Sequence, residues 1–405
     1  MKEKYYKYAE LLLKKGLDIK AGQPLLVNFP AEAMDFIRVL TEVAMNLGVR
    51  DIYYDISDEE LKHMQLKYYS IEDIKNSRFW NKSIHDEYAK KGAAFLFLVS
   101  SVNDRMKDID NEKLEVAQRH SLQTRKLYRE MQEKNEVDWC IASVATKEWG
   151  DMIYGDITNS REKLWETIFD ICLINEDDPC LAWTRKMEEN RRNYQKLNDL
   201  HIKELHYRNS LGTDLKIGLS DKARWLGGAS LINGREIIVN IPTEEVFTTP
   251  DKHKTNGVVY CSKPLLYSGS IIKDIMLEFR DGKVVNYSAS SNQQVLKNII
   301  DYDEESSYLG EVALVDYDSK ISNTNILFYE TLFDVNASCH IALGRGFREC
   351  LENGNDLNDL ELEDVGYDKS RNHVDVMIGT KDLEIIAKTS DGLEIELFKN
   401  GGFCI

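Results

Sequence analysis

Pro24-Leu25-Leu26-Val27-Asn28-Phe29, residues 31–47, and Val49-Arg50-Asp51-Ile52-Tyr53-Tyr54-Asp55 form the stretch that decides the fold of the first half of the chain. The opening run is short and apolar, as a buried strand is. Residues 31–47 then carry Phe36, Val39, Leu40, Val43 and Leu47 at helical spacing, and Gly48 supplies a stop. The third piece is again strand-like. Strand, helix and strand in that order make a β-α-β unit, whose right-handed crossover requires a parallel sheet. Residues 93–100 and 139–144 are two further strand candidates, and the polar segment 111–134 between them reads as one helix. Residues 162–174 and 184–197 also carry helical patterns.

Near residue 200 the texture changes. Residues 205–208, 214–219, 237–241, 275–279, 284–288, 374–378 and 394–398 are short, β-rich and separated by Gly, Asp and Asn. Asp281-Gly282 and Asp391-Gly392 are hairpin steps. The expected architecture is an α/β domain with a parallel sheet over residues 1–200, followed by an α+β domain with largely antiparallel or mixed sheet over 201–405.

The 405 residues, 42% of them hydrophobic, suffice for two domains with sizeable cores. A net charge of −17 argues against a nucleic-acid surface and fits an acidic cytosolic protein. The longest apolar run, 93–100, is too short to span a membrane, and no apolar segment follows the charged N-terminus as in a secretory signal. Seven dispersed cysteines without a Cys-x-x-Cys pair read as reduced thiols. No Gly-x-Gly-x-x-Gly follows the first strand, so no nucleotide cofactor is expected.

Five metal-competent side chains gather in the last two-fifths of the chain. His373-Val374-Asp375 would send His373 and Asp375 to one face of a strand; taken alone, the pair is better read as a polar strand face in solvent. Of Glu244 and Glu245, adjacent at a strand end, only one can point into a site; the other is then a base or a supporting partner. Glu311 opens the apolar run Val312-Ala313-Leu314-Val315, so it lies at a strand mouth or is paired. His340, in Cys339-His340-Ile341-Ala342-Leu343-Gly344, is alone among apolar residues, where a histidine is more often a hydrogen-bonded core residue than a ligand. The remaining histidines, His63, His85, His120, His201, His206 and His253, show no ligand spacing, and His206 has the most buried-looking setting. Two Glu, two His and one Asp can serve a pair of hydrolytic metal ions, which polarise a carbonyl and lower the pKa of a water.

The order of these segments, with Leu205-His206-Tyr207-Arg208, Gly212-Thr213-Asp214-Leu215, Trp225-Leu226-Gly227-Gly228, residues 242–250, 309–315, 331–344 and 373–379, and the terminal Gly401-Gly402-Phe403, resembles the aminopeptidase T/aminopeptidase S family of dinuclear metallo-aminopeptidases. The first half matches more loosely, in its β-α-β opening and in residues 144–150. The resemblance implies that Glu245, Glu311, His340, His373 and Asp375 bind two divalent ions, zinc, cobalt or manganese, with Glu311 as the bridge and Glu244 as general base. It also implies short peptide substrates, a homodimer, and an N-terminal domain that helps to close the site. Three positions depart from the family pattern: Phe347 stands where the family has Tyr, Val335 where it has Glu, and Tyr367-Asp368 where it reads more like Asn. Phe347 lacks the phenol that could donate to a developing oxyanion, and Val335 lacks the acid that could hold a substrate amine. Metal binding is therefore a firmer expectation than peptide turnover. Two alternatives follow: a single-iron enzyme acting on an aromatic ring, since two His and a carboxylate suit such a centre, and a binding protein with a vestigial site.

Overall fold

The computed structural model describes residues 1–76, 84–101, 106 and 108–405. The chain forms two compact units: Met1–Arg185 with Ala229–Pro242, and Lys186–Gly228 with Thr243–Ile405. Where the sequence texture changes near residue 200, the first division falls at Arg185, inside the helix Pro179–Asp199. The chain then re-enters the first unit at Ala229, a return made by the short strands Ser230–Ile232, Arg235–Ile237 and Asn240–Ile241.

In the first unit, β1 (Leu25–Pro30), β2 (Ile52–Ser57), β3 (Ala94–Val99) and β4 (Trp139–Ser143) form the parallel sheet that the β-α-β reading predicts. The short strand Asn240–Ile241 joins its edge beside β4, also in parallel, giving the order Asn240–Ile241, β4, β3, β1, β2. The sequence texture had grouped this segment with the antiparallel half. The crossover helix Met34–Asn46 buries Phe36, Ile37, Val39, Leu40, Val43 and Ala44. Phe36 meets Tyr5, Tyr8 and Trp165 with ring centroids 5.4–5.6 Å apart. Each such side chain contributes roughly 1.5–3 kcal/mol through burial. The segment 111–134 is two helices, Asn111–Gln123 and Lys126–Glu133. The first ends at Thr124, a β-branched residue whose hydroxyl donates to the Ser121 carbonyl.

Besides the hairpin of Leu265–Tyr267 with Ser270–Ile272, the second unit holds two larger antiparallel sheets. The larger has eight strands, in the order Lys283–Ser288, Met276–Arg280, Pro250–Tyr260, Asp214–Leu219, Ile202–Arg208, Glu384–Thr389, Glu394–Lys399 and Gly402–Phe403. The smaller comprises β5 (Leu226–Gly227), β6 (Val246–Thr248), β7 (Leu309–Leu314), β8 (His340–Gly344) and β9 (His373–Met377), in the order β9-β8-β7-β6-β5. Leu205, Leu215, Ile217 and Ile385 of the larger sheet share one apolar core with Val246, Val312, Leu314, Ile341, Leu343, Val374 and Val376 of the smaller. The smaller sheet therefore has one face committed to the core. No helix among the described residues is long and apolar enough to cross a membrane, and all seven cysteines are free thiols.

Candidate metal centre

The site is the other face of the five-stranded sheet. Side chains alternate along a strand, so pairing register fixes which residues share a face. Ala342 of β8 pairs with Glu311 of β7 on one side and with Asp375 of β9 on the other. One step along, His340 lies opposite Ala313 and Met377; a step the other way, Gly344 lies opposite His373. Glu311, His340, His373 and Asp375 thus occupy one face of three adjacent strands. The small Ala342 and Gly344 lie between them, leaving that space to the longer polar side chains.

A bulge at Gly310 makes this possible. Leu309 pairs with Leu343 while Glu311 pairs with Ala342, so β7 has one extra residue there. A Cβ on Gly310 would collide with the carbonyl oxygen of Gly344 and the backbone of Arg345. Gly344 itself has φ +94°, and a Cβ there would meet the carbonyl of Asn372. The glycines of Leu-Gly-Glu and Ala-Leu-Gly are thus two halves of one close backbone approach.

Glu245, immediately before β6, completes the group. Its Oε2 is 3.3 Å from Nε2 of His340. On the other side, Nε2 of His373 is 3.2 Å from both Glu311 Oε2 and Asp375 Oδ1. Two sets result: Glu245, Glu311 and His340, and Glu311, His373 and Asp375. Within each, the available ligand atoms lie within 4.8 Å of one another, and Glu311 belongs to both. All five side chains named from the sequence meet in these two sets.

Both imidazoles are held the same way. His373 Nδ1 faces the Arg345 carbonyl at 2.7 Å, and His340 Nδ1 faces the Ser338 carbonyl at 3.3 Å. A proton on Nδ1 satisfies each carbonyl and leaves the Nε2 lone pair aimed at carboxylate oxygens. Lone pair against carboxylate is repulsive unless a proton or a metal cation sits between them. This is the usual arrangement behind a metal-ligating histidine.

The electrostatics agree. Burial works to lower the pKa of His340, yet the carboxylates of Glu245 and Glu311 outweigh it and push it up to about 9. His373 is likewise raised well above its ordinary value against burial, chiefly by Asp375, then Glu311. Burial raises Glu311, opposed by His373. For Asp375, burial is outweighed by the two imidazoles, which hold it down to about 2. Asp375 Oδ1 is buried and receives no hydrogen bond of good geometry, although His373 is close. Three carboxylates, two oriented imidazoles and an orphaned buried oxygen fit divalent cations.

Glu244 belongs to neither set. Its Oε2 pairs with Lys186 Nζ at 2.5 Å, and its backbone N–H donates to Asn336 Oδ1 at 2.6 Å. Phe347 lies edge-on to the His373 ring at 5.1 Å and to Phe247 at 5.4 Å, forming an apolar wall with no hydroxyl. Tyr367 does not offer a free replacement: its hydroxyl donates to the Gly346 carbonyl at 2.7 Å. Val335 is buried in a short 3-10 turn, Val335–Ala337. Sequence reasoning did not single out Lys186 or Asn336. Asn336 lies inside the quoted 331–344 segment, whereas Lys186 is one cation among many on a polar helix.

The family described as thermophilic metalloprotease (M29) matches residues 1–403. Aminopeptidase AmpS of Bacillus subtilis (strain 168) is 36% identical over 404 residues, covering 99% of this chain and 98% of that protein. Aminopeptidase 2 of Geobacillus stearothermophilus is 38% identical over 400 residues, covering 98% and 97%. The solved structure of wild-type AmpT from Thermus thermophilus superposes with a TM-score of 0.92 at 31% identity, covering 99% of each chain.

Proposed function

This chain belongs to the thermophilic metalloprotease family, and on that premise we propose that it removes N-terminal residues from short peptides with the help of two divalent ions. The observation that carries the reading is the pair of three-ligand sets sharing Glu311 on one sheet face. Glu245 and His340 would hold one ion, His373 and Asp375 the other, and Glu311 would bridge. Zinc, cobalt and manganese all suit mixed imidazole and carboxylate ligation. Bound there, the ions would polarise the scissile carbonyl and lower the pKa of a water.

The chain's own residues do the rest. The carbonyls of Arg345 and Ser338 fix both imidazoles with Nε2 inward. Glu244 takes a proton from the attacking water and delivers it to the leaving amine. Phe247 and Phe347 keep bulk water from the His373 side. With no phenol at position 347, this chain works with one oxyanion donor fewer than the family pattern offers. The reading includes a homodimer in the cytoplasm.

The test pairs metal content per chain, by elemental analysis, with hydrolysis of aminoacyl amides after addition of zinc, cobalt or manganese. Two ions per chain with amide turnover is the expected result. One iron per chain, or two ions with no turnover of any aminoacyl amide, overturns it.

A further inference from the structure

We propose that Lys186 is a positioning residue for Glu244, orienting its carboxylate and keeping it out of the metal cage; this rests on the reading of Glu244 as the base. Glu244 and Glu245 lie in the loop just before β6, where Glu245 faces His340 and Glu244 faces Lys186. The Lys186 ammonium is carried on the helix Pro179–Asp199 and meets Glu244 Oε2 where both side chains are largely covered, 22% and 13% exposed. An exposed ion pair of this kind would contribute little. A covered one restricts geometry, because a half-desolvated carboxylate has few other partners.

The backbone of Glu244 is clamped as well. Its N–H donates to Asn336, which is fully buried and donates its own Nδ2 to the Leu332 carbonyl at 2.9 Å. Both ends of the residue are therefore fixed. Without Lys186, nothing described around the carboxylate would stop it from swinging toward the ligand set that its neighbour Glu245 joins. A fourth carboxylate there would occupy a ligand position and remove the base.

The experiment is a double-mutant cycle on the metal-loaded enzyme with Lys186→Met, Lys186→Arg, Glu244→Gln and the Lys186→Met/Glu244→Gln double variant. Lys186→Met is expected to lower kcat by roughly 10- to 100-fold, within the span that general-base catalysis supplies, with KM changed less than about twofold. Metal content per chain stays at the wild-type value, and Lys186→Arg recovers most of the loss. In the Glu244→Gln background, Lys186→Met costs nothing more, because Lys186 acts only through Glu244. Wild-type kcat in Lys186→Met, metal loss in that variant, or additive losses in the double variant each overturn the proposal. Should Lys186→Met not fold, Lys186→Gln decides: lowered kcat with KM and metal content kept is expected, and wild-type kcat or metal loss sinks the idea. Full activity in Glu244→Gln refutes the base reading itself, and so is distinguishable from failure of the Lys186 proposal alone.

Discussion

His85 in the first unit and His340 in the second are equally buried, each 2% exposed, yet they are shifted in opposite directions. His85 sits on the helix Ile84–Lys90 against Phe95 and Phe97, with ring centroids at 6.1 and 6.3 Å, and beside Tyr128. Neither of its ring nitrogens has a hydrogen-bond partner, and the Asp55 carboxylate stands off at 3.8 Å. Burial, helped by Arg125, lowers its pKa to about 3. His340 suffers the same burial but has Glu245 and Glu311 at hand, and is pushed up to about 9. The difference teaches that a buried imidazole becomes a candidate ligand through its company. Carboxylates facing Nε2 and a carbonyl facing Nδ1 make the site; aromatic walls alone make a neutral core residue.

The largest effect should come from removing the shared carboxylate. Glu311→Ala takes a member from both three-ligand sets, and is expected to weaken metal binding by more than about 100-fold, beyond what loss of a supporting partner costs. Elemental analysis after dialysis checks it; two retained ions would strike Glu311 from the ligands. Next in size is Phe347→Tyr, which restores a donor beside His373. It should raise aminopeptidase kcat by up to about 100-fold if the missing phenol limits turnover, whereas an unchanged rate would show that the ions suffice.

The smallest effect belongs to the other imidazole. His85→Leu removes two unpartnered nitrogens from an aromatic setting, so stability at pH 7 should be unchanged or higher by up to about 2 kcal/mol. Metal content and kcat should not move. The sign of the pH effect follows from the depressed folded pKa. Between the unfolded value of 6.5 and about 3, the unfolded chain binds the His85 proton and the folded chain does not. The stability His85 lends by staying neutral is complete above 6.5 and drains away as pH falls toward 3. In His85→Leu, denaturant-derived stability should therefore decline less steeply over that interval. Equal slopes in the two proteins would mean that His85 has a partner after all.

Much of this contrast is legible in the sequence, for unequal reasons. The β-α-β opening announces itself because an apolar run and a helical stripe are long-range patterns. The polar pair His373 and Asp375 reads as one strand face because alternation is local. What register adds is not local: Ala342 lying between Glu311 and Asp375 depends on pairing among three strands. The two-residue strand Asn240–Ile241 carries too little pattern to reveal that it joins a parallel sheet. His206, the most buried-looking of the six unassigned histidines, keeps 16% of its side chain exposed and hydrogen-bonds Asp214, while His85 is the buried one. The polar neighbours of His85 in sequence hide the fact that a short helix turns it inward. Lys186 pairs with a residue 58 positions away, which composition cannot disclose.

The bulge at Gly310 acts as a change of phase. Leu309 and Glu311 are two apart and would face the same way on a regular strand, yet Leu309 is sealed in the core and Glu311 joins the polar face. The inserted glycine starts a second reading frame in the middle of the strand. Before it, the odd-numbered Leu309 faces the oil; after it, the even-numbered Val312 and Leu314 do, and Glu311 faces the site. A single-residue deletion at this point would not remove one ligand but turn one end of the strand inside out, sending either a carboxylate into the oil or leucine among the carboxylates.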